Sequence, residues 1–358
     1  MTRVEILAAV KKNRTIEEVD LTGIDLAGAD LTGGRFEDVC LKNADLSGAN
    51  VLKTGFRRCD FSGASFRGTD LTKANLMEMN LAGADFRQAT LYQTLLTRAN
   101  LAGANFSGTL VSWTLLQHAD LTKADFSQAR FEKALLQHTK LIKADFTKAD
   151  LLKVMFNGSD LTGARFKGAH FLKILFQKCN LAGQDFQGAR FTQINAAQAN
   201  LQGANFTGAD ITFSTFMEAD LTGAKLVKVS GQNALFKGAL LKKTDLTGAD
   251  LSHSFFGECN APEANFTGAT LVNAVFTKAK CRAAIFANAA CSYADFSYAD
   301  LTGADFTDAN LYAAKLHKTV DEHTIWTRTN KLLLKGTNKD IAEAEDWQPP
   351  PDAAPAGK

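Results

Sequence analysis

His118 and His138 stand twenty residues apart, and each follows a glutamine, Gln117 and Gln137. Two imidazoles on one face are half of a transition-metal site. A third ligand is needed, and no carboxylate or thiol recurs at the same spacing, so a metal is not expected. Cys281 and Cys291 lie ten apart in slots that elsewhere hold Leu or Phe, which reads as two small buried hydrophobes rather than as nucleophiles. With Cys40, Cys59, Cys179 and Cys259 they form no CxxC pair, the pattern of free thiols in a reducing compartment. No Walker loop, GxGxxG, HExxH or GxSxG occurs. The many Asp residues belong to a repeat, where a short carboxylate bonds the backbone at corners. The expectation is therefore a protein that is not an enzyme, with no catalytic residue, no metal and no cofactor.

The elements that hold these residues follow from one period. Stepping by five from Leu21 to Leu316 gives sixty positions, of which 28 are Leu, 24 Phe, two Val and one Ile. Ala196, Gly231, Ala261, Cys281 and Cys291 are the departures, and a small residue, most often Ala, sits two positions before each centre. Five matches neither the 3.6 of a helix nor the 2 of a strand, so the chain must coil as a solenoid. A second period of twenty overlies the first: Phe66, Phe86, Phe106, Phe126 and Phe146 form one column, and Leu81, Leu101, Leu121 and Leu141 another. Four pentapeptides thus make one turn, with the centres pointing inward and the Phe column stacked along the axis.

The unit Ala-(Asp/Asn)-(Leu/Phe), as in Ala104-Asn105-Phe106, Ala124-Asp125-Phe126 and Ala304-Asp305-Phe306, resembles the pentapeptide-repeat proteins over about residues 19–318. The resemblance implies an all-β solenoid, a right-handed quadrilateral β-helix of about fifteen coils. Residues 1–18 are expected to form an N-terminal cap, in which Val4, Leu7, Ala8 and Val10 give 3–12 a helical pattern. Residues 319–344 are expected to cap the other end through Ile325, Trp326 and Leu332 to Leu334, and 345–358 read as a disordered tail. Lys plus Arg total 40 and Asp plus Glu 38, a balance that does not point to direct nucleic-acid binding. No apolar run spans a membrane, and MTRVEILAAVKKNRT lacks a secretory pattern, so the expected location is the cytoplasm.

Function is read from the slot just before each centre. On two sides of the square it is Asp or Asn in eleven of fifteen coils each. On the fourth side it runs Leu95, Leu115, Leu135, Met155, Leu175, Asn195, Thr215, Leu235, Phe255 and Val275. Stacked about 4.8 Å apart, these would make an apolar ribbon. The preceding corner carries Lys133, Lys153 and Lys173 together with Trp113 and Phe213. Contiguous exposed apolar surface of this kind marks a contact site for another protein, and the lysines favour an acidic partner.

The opening TRVEILAAVKKNRTIEEVDLTGIDLAGADL and the closing TVDEHTIW are similar to long family members associated with type VI secretion, which implies an adaptor or chaperone for a secretion effector. The alternative is a DNA mimic that guards a topoisomerase, as in the quinolone- and albicidin-resistance members. Those are shorter, acidic along one face and dimeric, and some have loops that break the coils; this chain departs on charge and on continuity. A secreted effector, and a homodimer formed through the C-terminal tail, complete the readings.

Overall fold

The structure, a computed structural model, describes residues 1–191 and 193–346. Most five-residue units close a turn in which the N–H three residues past the centre donates to the centre's carbonyl. Ala44 N–H to Leu41 O (3.1 Å) and Ala124 N–H to Leu121 O (3.0 Å) are examples. The third residue of the turn is left-handed, as at Asn43 (φ 54°) and Lys123 (φ 60°). One turn every five residues brings the chain round after four, and each coil then pairs in parallel with the one twenty residues on. Leu41 N–H donates to Asp60 O at 2.7 Å, and Asp60 N–H donates back to Val39 O at 3.1 Å. The molecule is an all-β solenoid of square section.

Among the described residues, eight segments extend into strands of three residues. β1 (Thr15–Glu17), β2 (Arg35–Glu37) and β3 (Gly55–Arg57) pair on the fourth side near the amino end. β4 (Thr90–Tyr92), β5 (Leu110–Ser112), β6 (Arg130–Glu132), β7 (Asp150–Leu152) and β8 (His170–Leu172) pair on the third side. In these segments the residue after the centre stays extended, as at Tyr92, Leu152 and Leu172, where the other units turn immediately.

The inward centres fill the axis. Phe66, Phe86, Phe106, Phe126 and Phe146 stack with centroids 4.6–5.2 Å apart. Phe216, Phe236, Phe256 and Phe276 make a second ladder on the fourth side. Burying each ring stabilises by about 1.5–3 kcal/mol. The departures are volume-matched: a Cβ added to Gly231 would lie 2.9 Å from Leu251 Cδ2 and 3.1 Å from Ile211 Cγ1, so its coil neighbours already fill that space.

Helix α1 (Arg3–Lys11) closes the amino end. Thr2 and Glu5 form a capping box at its start, and Arg3 ties it to the first coil through Ala27 O at 2.8 Å. Its inward residues are Ile6, fully buried, with Leu7, Ala9 and Val10 packed beside it. Val4 and Ala8, expected on that face, are exposed. Four residues carry the helix once round, so Ile6 and Val10 share one stripe and Val4 and Ala8 share another.

At the other end the coil does not stop at 318. Asp300–Val320, Asp305–Ile325, Asn310–Asn330 and Lys315–Lys335 pair like every rung before them. From Thr15 to Lys335 the fourth side advances sixteen steps of twenty residues, all but Gly55–Asn75 paired, against the expected fifteen coils. The rungs persist even where Asp321 and Lys331 occupy centre slots. Trp326 continues the Phe306 ladder at 4.9 Å, and Lys331 Nζ lies 4.3 Å from its indole centroid, a cationic lid on the last ring. Leu334 packs against the core, whereas Ile325, Leu332 and Leu333 are exposed. Helix α2 (Lys339–Asp346) folds back on the corner. There Glu345 is bonded to Tyr298 and lies 3.2 Å from both His317 Nε2 and Lys318 Nζ. Glu345 and Asp346 are therefore helical rather than tail; the rest of the expected disordered segment lies outside the described residues.

Three rungs are missing from the ladder among the described residues: Gly55–Asn75, Arg165–Asp185 and His170–Arg190.

Candidate functional site

A side chain at the third residue of each turn must adopt φ near +55°, which glycine accepts freely and bulky residues accept only at a cost. Among the described residues, eighteen of the 21 positive-φ glycines lie at the two corners flanking the second side, from Gly23 to Gly303 and from Gly28 to Gly268. Only Gly33, Gly158 and Gly238 occupy the two corners flanking the fourth side. The corner before the fourth side instead holds Lys53, Lys73, Trp113, Lys133, Lys153, Lys173, Phe213 and Tyr293 at φ of 53–61°. Each costs on the order of 1–3 kcal/mol relative to an unstrained conformation. Exposed aromatics in a strained backbone contribute nothing to the core, so something other than folding keeps them there.

Beyond that corner, Leu95, Leu115, Leu135, Met155 and Leu175 are consecutive rungs, each paired with the next. The column continues through Asn195 and Thr215 to Leu235, Phe255 and Val275 without a missing rung. Backbone bonds fix the spacing: Leu116 N–H to Leu135 O is 2.8 Å and Leu135 N–H to Thr114 O is 3.0 Å. The side chains face outward but shield one another. Leu95, Leu115, Leu135 and Leu175 are half-buried, while Met155 and Leu235 are exposed.

Two of the flanking residues engage each other. Lys133 Nζ lies 4.2 Å from the Trp113 ring centroid and 3.8 Å from Glu132 Oε1. Lys153 and Lys173 have no ion-pair partner among the described residues, and Phe213 is 59% exposed.

Two features were not foreseen. The post-centre slot of the third side supplies Leu52, Tyr92 and Leu172, all exposed, and half-buried Leu152, which carry apolar surface around the corner. Their spacing by multiples of twenty is the signal in the sequence that marks them. The other edge of the ribbon is an amide ladder, Gln117, Gln137, Asn157 and Gln177. Thr97 Oγ1 donates to Gln117 Oε1 at 3.3 Å and Asn157 Nδ2 to Gln177 Oε1 at 2.5 Å, but Gln137 Oε1 and Asn157 Oδ1 are buried with no donor. Unmet buried acceptors are costly and rare.

His118 and His138 stack in parallel at 5.2 Å on the next corner. A Cβ at Gly158 would come 2.6 Å from His138 Nδ1, so the glycine is what lets that ring lie flat. A groove of about 530 Å3 continues past Asn157, Gly158, Gln177 and Lys178. The Asp columns are structural: Asp60, Asp120 and Asp145 accept from the N–H two residues on at 2.9–3.0 Å. Burial pushes the Asp145 carboxyl up, and hydrogen bonds from Thr147 with the Arg165 guanidinium outweigh it and hold it below its ordinary value.

A family model described as pentapeptide repeats matches eight stretches within residues 16–132 and 214–320, and a second, described as a pentapeptide repeat region, matches 129–206. No curated protein matches. Among solved structures, one similar chain is a pentapeptide repeat protein of the Arabidopsis thaliana thylakoid lumen. It is 32% identical over 25% of this chain and 61% of that one, with a TM-score of 0.24. HetL of the cyanobacterium Nostoc, involved in heterocyst differentiation regulation, is 23% identical over 92% and 94%, at 0.21. QnrB1, a plasmid-mediated fluoroquinolone resistance protein, is 20% identical over 62% and 88%, at 0.25. No helix among the described residues is long and apolar enough to cross a membrane.

Proposed function

The chain belongs to the pentapeptide-repeat family, and on that premise we propose that it is a non-enzymatic scaffold whose fourth side binds another protein. One observation carries the reading: the aromatic side chains of Trp113, Phe213 and Tyr293 stand in left-handed turn positions along one corner, beside an unbroken apolar ladder, while most of the glycines lie at the two bland corners. Strain retained at an exposed surface is a mark of function rather than of folding.

Lys153 and Lys173, without ion-pair partners among the described residues, suit a partner with carboxylates along that margin. The resemblance of the chain's two ends to secretion-associated members favours a secretion effector as that partner over a topoisomerase.

The test is affinity capture from the source cell with the wild type and with Leu115, Leu135 and Leu175 all changed to Asp. Half-buried outward positions carry little core energy, so the variant should keep its circular-dichroism spectrum and lose one protein from the captured set. A folded variant that captures the same proteins overturns the reading, and an identified effector or topoisomerase decides which partner class is right.

A further inference from the structure

The two adjacent missing rungs, Arg165–Asp185 and His170–Arg190, lie on the second and third sides of a single coil step. The cause is in the sequence. From Ala44 to Ala224 the inward slot before each second-side centre is alanine in every coil but one, where Gln184 takes it. Gln184 is buried, and its Nε2 donates to Leu161 O at 2.7 Å. Thr244, in the same slot, reaches the equivalent carbonyl, Leu221 O, at 2.8 Å while its rung Lys225–Asp245 stays formed. A hydroxyl on Cβ makes this bond within the coil spacing, whereas an amide two atoms further out props the coils apart. Phe166 and Phe186 are accordingly 5.7 Å apart and tilted 32°, against 4.6 Å and 1° for Phe86 and Phe106.

The opening forms a groove of about 1120 Å3 on the outer surface. It has no room for an added strand between the coils, because Phe171 and Phe191 remain 4.4 Å apart across it. The fourth side of the same step is closed: Phe176 N–H donates to Asn195 O at 2.7 Å and Asn195 N–H to Ile174 O at 3.0 Å. The first side also holds, through Asp160–Asn180.

We infer that this step is a hinge. With the second side open and the fourth closed, the rod bends toward its apolar face and brings Leu95–Leu175 and Leu235–Val275, which flank the polar Asn195 and Thr215, into one concave surface. The hinge stands on backbone pairing alone; its use in gripping a partner rests on the docking role proposed above. Few bonds cross the step, so it is also where the stack opens first.

The test needs no partner, so its failure leaves the docking role untouched. Native-state amide exchange on the full chain should show Phe166, Gly168, Asp185 and Arg190 exchanging at least about tenfold faster than Phe126, Gln128, Asp145 and Asp150. Gln184→Thr, which keeps the hydrogen bond, should bring the first set down to the second. Spin labels at Ser107→Cys and Thr247→Cys, seven coils apart or about 34 Å, with Cys40→Ala, should give a broad distance distribution in the wild-type background. Equal exchange of the two sets, or a single narrow distance, overturns the hinge.

Discussion

Lys133 rests over the indole of Trp113 one coil below it, 4.2 Å from Nζ to the ring centroid, and both residues hold left-handed backbone, at φ 54° each. Two strained residues support each other at the surface. That separates what stabilises the rod from what it presents.

Trp113→Gly tests the separation directly. Glycine relieves the backbone strain, so thermal stability should be unchanged or higher by up to about 1 kcal/mol. Partner binding, read by the same capture assay, should weaken. A fall in stability would mean that the indole packs as core.

Phe146→Ala should do the reverse. Its ring is fully buried between Phe126 and Phe166, with stacked contacts on both at 5.1 Å. Truncation should cost about 3–5 kcal/mol in denaturant unfolding and leave capture by the folded fraction intact.

Acid should loosen the stack. Asp145 is held below its ordinary value in the folded state by Thr147 and Arg165 against the opposing effect of burial, and Asp60, Asp120, Asp220 and Asp300 are lowered likewise. A depressed carboxyl contributes stability that is present above its unfolded value of about 3.9 and is lost as pH falls through the lower folded value. Melting temperature should be flat from about pH 7 to 5 and fall below about pH 4. Asn keeps the corner bond, as Asn105 shows by accepting from Ser107 N–H at 2.9 Å. Asp145→Asn should therefore flatten the acid limb.

The thiols should be nearly silent. Burial pushes Cys179 up to about 12 and raises Cys291, and Cys281 is raised by its contact with Cys259 and by burial. All six are free, and only Cys40 is partly accessible. An aromatic disulfide reagent at pH 8 should titrate one thiol rapidly in the folded protein and six in denaturant.

The sequence made the solenoid legible because a square coil has one inward centre per side, so Leu21 to Leu316 record the geometry directly. The apolar column was legible for the same reason once the slots were sorted by twenties. What escaped lies where side chains and backbone part company. Asp321 and Lys331 break the centre pattern, yet the pairing runs on to Lys335, since the rungs are backbone bonds that these two side chains leave undisturbed. Gln184 is one unremarkable glutamine in the sequence, and its effect appears only when its reach to Leu161 O is compared with that of Thr244 to Leu221 O. The unmet acceptors of Gln137 and Asn157 depend on side-chain rotation, which no spacing encodes.

A pitch of twenty residues that never drifts also makes the rod a dial as well as a ruler. Removing four pentapeptides between Asn195 and Leu235 would shorten it by one rung and leave the two apolar halves in line. Removing a single pentapeptide there would turn everything downstream through a quarter rotation, so that Leu235, Phe255 and Val275 faced a different compass point from Leu95 to Leu175.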